Sequence, residues 1–259
     1  MRREKEHLER EPLVQLKEEL HWLASKLEKG GRASVYILAG LATSPDFFRD
    51  VEAELKRRLS ERYEAVEMRI FFPYGDWSRK LLPQLRDIGR DVLPSSGGRG
   101  GIRERRGGLA AARAIRDTYT EGALFLIGHS AGGTAAVYAA EYLLAEGIRV
   151  NAVIQIGSPK TPLPAPIRPL TSYLYRVGED GRPADPVTRI GSWGGWSTYK
   201  GALPRWDPVK YAPARMVPLA LTGGHADYFR SSAPYRDAEG RSNLERTADA
   251  VAAWLLAME

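Results

Sequence analysis

The sequence contains no cysteine, which excludes a disulfide framework, a thiolate nucleophile and any cysteine-ligated metal site. Histidine is scarce too, with four residues in 259, so chemistry that needs an imidazole has few places to find one. No apolar run approaches the roughly 20 residues that span a bilayer. The opening segment MRREKEHLEREP is charged throughout and is followed by no apolar stretch of signal-peptide type. These absences lead to the expectation of a soluble, cytoplasmic protein. Basic charge is not concentrated in one place either. Lys and Arg outnumber Asp and Glu by 38 to 32 without the clustered stripe of a nucleic-acid binder, so no nucleic-acid partner is expected.

A chain of this length builds one large core. Residues 1–31 read as an N-terminal helical extension and residues 32–259 as the main domain. In the extension, Leu13, Leu16, Leu20, Leu23 and Leu27 recur at spacings of three and four, and Gly30 and Gly31 follow. That spacing predicts one amphipathic helix ended by glycine. Its Leu stripe suits packing on the domain, a dimer contact or a peripheral membrane contact. No feature assigns an oligomeric state.

Beyond residue 32, short apolar runs alternate with helical segments. Strands are expected at 34–39, 65–72, 123–127, 152–156, 172–177 and 216–221, with helices at 45–62, 77–92, 105–119, 131–146 and 243–258. This alternation predicts an α/β fold, a doubly wound and mostly parallel sheet with helices on both faces. Three stretches interrupt it. Residues 95–108, rich in Gly and Arg, read as a solvated loop, with an anion-binding lid as the alternative. Residues 158–169 carry five prolines and read as a rigid crossing, a candidate border of the active site. Between residues 190 and 206, Trp193, Trp196, Trp206 and Tyr199 lie among glycines, suited either to an acyl pocket or to a satellite core under a long loop.

The most informative segment is ALFLIGHSAGGTAAVYAAEYLL, an apolar strand that runs through Gly128-His129-Ser130-Ala131-Gly132 directly into an Ala-rich helix. A strand turning this sharply into a helix holds its central Ser in a strained conformation, and Cβ atoms two residues to either side would meet neighbouring backbone. The hydroxyl is thereby projected above the sheet edge, next to free N–H groups at a helix N-terminus. Gly128, Gly132 and Gly133 do not fit a dinucleotide loop, and no phosphate-loop Lys follows.

A Ser nucleophile needs a base. His7 and His21 lie in or before the N-terminal helix, and His129 is adjacent to Ser130 with its side chain expected to point elsewhere. Elimination leaves His225, delivered by the last strand through a Gly-Gly turn. An acid between the two in sequence would orient the imidazole. In the loop GEDGRPADPVTRIG, Asp185 is favoured because Pro-Val can anchor the turn beneath a buried carboxylate, and Asp180 and Glu179 stay open as alternatives. Backbone N–H groups of Ala131 and Leu41 are the expected oxyanion donors, with Gly40 admitting the turn at Leu41.

The GHSAG elbow, the D-P-V segment and the order Ser, acid, His resemble the α/β-hydrolase superfamily, and within it the lipase and esterase branch. The resemblance spans about residues 33–258, although the loop AGLATS replaces the HG or HGGG form. It implies a serine hydrolase that forms an acyl-enzyme on Ser130, with no metal or organic cofactor, acting on a small-molecule carboxylic ester or lipid. Thioesterase, peptidase or acyltransferase activity would use the same triad, and a catalytically silent protein that binds a ligand or partner is the alternative of a different class.

Overall fold

A computed structural model of the chain describes residues 30–41, 43–75, 87–89, 91, 105–198 and 203–258. The Leu-striped helix lies outside the described residues, as does most of the helix expected at 77–92. Among the described residues no helix is long and apolar enough to cross a membrane.

Six strands form one wholly parallel sheet: β1 (Arg32–Leu38), β2 (Ala65–Phe71), β3 (Ala123–His129), β4 (Ala152–Ile156), β5 (Thr171–Val177) and β8 (Arg215–Ala220), in the order β2-β1-β3-β4-β5-β8. All six were legible as apolar runs. Their period-two alternation decides which side chain goes to which face. Val35, Ile37, Phe125, Ile127, Ile154, Ile156 and Leu174 face one side. They are covered by Val51, Leu55 and Leu59 of α1 (Arg49–Leu59) and by Leu244, Ala248, Val251 and Leu255 of α4 (Asn243–Leu255). Tyr36, Leu38, Leu124, Leu126 and Val153 face the other side, under α2 (Arg106–Thr118) and α3 (Ala131–Ala145).

Because β1 pairs with β2 on one edge and β3 on the other, the chain leaves β1 in one direction and later returns to its opposite side. The loops at the carboxyl ends of β1 and β3 therefore part, and the crevice between them is where an open α/β sheet binds ligands.

Of the Gly/Arg stretch 95–108 only residues 105–108 are described, and there the loop expectation is corrected: Gly107 and Gly108 are buried in the first turns of α2, where a Cβ on either would collide with Tyr74 or Tyr138. A short antiparallel hairpin, β6 (Gly195–Ser197) with β7 (Arg205–Asp207), had no counterpart in the sequence reading. It divides the Trp-rich stretch. Trp193 is buried edge-on against Tyr173 at 4.9 Å in a satellite core, whereas Trp196 and Trp206 pack on each other at the surface, 64% and 48% exposed, and Tyr199 lies outside the described residues.

Candidate active site

The strand β3 ends at His129, and α3 starts at Ala131, leaving Ser130 alone in the turn. Ser130 has φ 57° and ψ −132°, and it is the one non-glycine with positive φ among the described residues. Such a conformation costs on the order of 1–3 kcal/mol and persists only where the surroundings enforce it. They do so through close backbone contact. A Cβ on Gly128 would collide with the Gly132 carbonyl, and one on Gly132 with the Leu38 carbonyl at the end of β1. The two glycines of the motif are thus required by approach to backbone.

The loop after β1 passes over the same point. A Cβ on Gly40 would lie 2.6 Å from Ser130 Cβ and 3.1 Å from Ser130 Oγ. Gly40 therefore serves close approach to the Ser, rather than only the turn expected of it, and the Leu41 backbone follows directly. Ala131, the first residue of α3, carries one of the N–H groups that a helix N-terminus leaves without an intrahelical acceptor.

His225 opens a 3-10 turn (His225–Asp227) just after β8. Asn243, the first residue of α4, pins this loop by donating from Nδ2 to the carbonyls of Asp227 (2.8 Å) and Thr222 (2.7 Å). The ring then spans two partners: Nδ1 lies 2.8 Å from Asp185 Oδ2 and Nε2 lies 2.9 Å from Ser130 Oγ. A carboxylate can only accept, so Nδ1 carries the proton and Nε2 is left to accept from the Ser130 hydroxyl. His225 is partly exposed, at 27%, whereas Asp185 is fully buried.

Asp185 caps the 3-10 turn Pro186–Arg189, its Oδ1 accepting from the Val187 N–H at 2.9 Å. This is the anchoring role that Pro-Val suggested. Burial pushes the Asp185 carboxyl up, but the His225 hydrogen bond and charge, the Val187 N–H and the Tyr228 hydroxyl outweigh it and hold it below the usual carboxylate range. Asp180 is elsewhere. It sits in an exposed turn with its Oδ1 accepting from the Arg182 N–H at 3.0 Å. Glu179 is exposed in the same turn. The structure joins Ser130, His225 and Asp185 into one hydrogen-bonded chain and leaves both alternative acids out of it.

Two buried groups in contact with this chain had no role in the sequence reading. Tyr228 donates its hydroxyl to Asp185 Oδ2 at 3.0 Å and accepts from the Arg176 N–H at 2.9 Å. Burial, then the charge of Asp185, raises its phenol well above the ordinary range. His129 does not point away from the site: its ring stacks on that of His225, centroids 4.9 Å apart and planes 22° apart. The spacing His-x-x-Tyr at 225–228 placed Tyr228 within one turn of the base and was the available signal for it.

A parallel sheet that switches direction at β1, a strained Ser between β3 and a helix, and an acid and a His following it in chain order decide the fold. This is the α/β-hydrolase fold. In sequence, residues 109–166, which span most of α2, β3, the elbow, α3 and β4, match the thioesterase domain family. No curated protein matches the chain. Solved structures similar to it include the NocB thioesterase domain of the nocardicin cluster, at 17% identity, TM-score 0.48, with 89% of this chain and 96% of that one covered. The RedJ thioesterase of prodiginine biosynthesis in Streptomyces coelicolor is similar at 13% identity, TM-score 0.47 and 86% of each chain. A candidate hydrolase of the α/β superfamily from Xanthomonas campestris pv. campestris stands at 19% identity, TM-score 0.44, with 86% of this chain and 98% of that one covered.

Proposed function

We propose that the chain is a serine hydrolase of thioesterase type, acting on a small-molecule acyl thioester through an acyl-enzyme on Ser130. The observation that carries the hydrolase reading is the continuous chain Ser130–His225–Asp185, with contacts of 2.9 and 2.8 Å, at the crevice of the sheet. The match of residues 109–166 to the thioesterase domain family favours a thioester over the carboxylic ester or lipid expected from the sequence.

In this reading Ser130 Oγ attacks the acyl carbonyl while its proton passes to His225 Nε2. The Leu41 and Ala131 N–H groups serve in this reading as the oxyanion donors, and losing one such donor typically costs about 10²- to 10³-fold in rate. Collapse breaks the C–S bond, and the departing sulfur takes the proton back from the His225 imidazolium. A thiol has a pKa near 8.5, so it needs less help to leave than an alcohol does. Water, deprotonated by His225, then attacks acyl-Ser130, releasing the acid and restoring the hydroxyl. Asp185 holds the imidazole with Nδ1 protonated throughout and balances its transient charge.

The test is fluorophosphonate labelling of wild type and Ser130→Ala, beside hydrolysis of matched acyl N-acetylcysteamine thioesters and p-nitrophenyl esters from acetyl to palmitoyl. The expected result is labelling abolished in the variant and kcat/KM higher for thioesters than for the matched esters. Preference for the esters would return the reading to a carboxylic ester hydrolase. A wild type that takes up no label would overturn the hydrolase reading.

A further inference from the structure

His129 is the residue between the elbow glycine and the nucleophile, and the mechanism above makes no use of it. It is 4% exposed and enclosed by aromatic rings, with centroids of Phe47 and Phe229 at 5.4 Å, Tyr228 at 5.8 Å and Phe48 at 6.4 Å. Its Nδ1 has no hydrogen-bond partner among the described residues. Among the described residues its one hydrogen-bond contact runs from Nε2 to the backbone carbonyl oxygen of His225, at 3.2 Å. A carbonyl only accepts, so Nε2 carries the proton and the ring is the neutral Nε2–H tautomer.

We propose that His129 is a positioning residue that ties the backbone of His225 to the nucleophile strand and so sets the reach of the base to Ser130. The proposal rests on the hydrolase reading, and its logic is connectivity. His129 is peptide-bonded to Ser130, while its ring holds the main chain of His225 by a hydrogen bond and its side chain by stacking. Nucleophile and base are therefore referenced to one rigid point, the end of β3, although they lie 95 residues apart in sequence. Burial, and then the proximity of His225, depress the His129 pKa to about 3. The stacked ring therefore stays neutral while His225 takes up its proton, and no second positive charge opposes the imidazolium at 4.9 Å.

Two variants separate the hydrogen bond from the packing. His129→Phe keeps a ring in the aromatic enclosure and removes the donor, whereas His129→Gln keeps an N–H donor of similar reach and removes the ring. With matched far-UV spectra, the expected result is that Phe lowers kcat and the fluorophosphonate labelling rate by on the order of 10-fold or more, with KM little changed, because misplacement of a catalytic group acts on the chemical step. Gln should recover most of the loss. A purely structural role gives the reverse order, with Phe at least as active as Gln, and would overturn the proposal. The contact is also read without activity, from long-range 1H–15N spectra of the wild-type imidazoles. A neutral Nε2–H tautomer for His129 that does not titrate between pH 5 and 8 is expected, and an Nδ1–H tautomer overturns the proposal. Wild type that fails to label would sink the hydrolase reading alone, since the spectra still decide the contact.

Discussion

The Tyr228 hydroxyl and the His225 ring share one oxygen of Asp185, approaching Oδ2 at 3.0 and 2.8 Å. The acid is therefore oriented from two sides, by groups three residues apart on one loop. Tyr228→Phe removes a donor to a charged acceptor, worth about 1.5–3 kcal/mol, and leaves the Arg176 N–H without that acceptor. The melting temperature should fall. The sign of the acid response also follows. A carboxyl held below its unfolded pKa contributes stability above that value and loses it as pH falls through the folded pKa. With fewer donors the folded pKa rises, so acid unfolding of Tyr228→Phe, followed by near-UV circular dichroism, should begin at higher pH than in wild type.

The two aspartates of the loop after β5 should behave oppositely. Asp185→Asn leaves the shape of the site but no longer selects the tautomer with Nδ1 protonated, and hydrolysis should fall by about 10⁴-fold. Asp180→Asn changes an exposed turn and should stay within about 2-fold of wild type, as surface substitutions do. Steady-state rates on one acyl substrate decide between them. If Asp180→Asn were the inactive protein, the assignment of the acid would be wrong.

Buried neutral His129 gives stability a pH dependence of definite sign. Its folded pKa is about 3 against an ordinary 6.5, so between these values the unfolded chain binds a proton that the folded chain does not. Stability contributed in this way is present above about pH 6.5 and is lost as pH falls toward 3, by at most about 1.4 kcal/mol per pH unit. The groups facing the ring are His225, Asp185 and Tyr228. Urea unfolding at pH 7, 6 and 5 should therefore show a shallower loss of stability in His129→Phe than in wild type, while equal slopes would mean that water reaches the ring.

Gly40→Ala places a methyl group against Ser130 Cβ and Oγ, at 2.6 and 3.1 Å. Either the nucleophile or the loop carrying Leu41 must shift, and labelling should slow by about 10²-fold while the far-UV spectrum is unchanged. Wild-type labelling rates in this variant would show that the loop after β1 yields freely.

The features legible in the sequence were those with local causes. Short apolar runs between helical segments place strands buried on both faces of a parallel sheet, and all six strands of the sheet were found from them. The GHSAG elbow was legible because the steric demand of a strand turning into a helix falls on residues two apart. His225 emerged from scarcity, as the one histidine delivered by a strand to the sheet edge after the nucleophile. Tertiary structure decided the rest. Asp180 and Asp185 share a loop and a chemistry, and only the path of that loop back under the imidazole separates a buried carboxylate from a solvated one. The hairpin of β6 and β7, with three residues in each strand, is too short for a period to register. The contacts of His129 and Tyr228 depend on how the loop after β8 docks against the ends of β3 and β5. That docking brings together residues 96 apart, such as His129 and His225, and no local spacing encodes it.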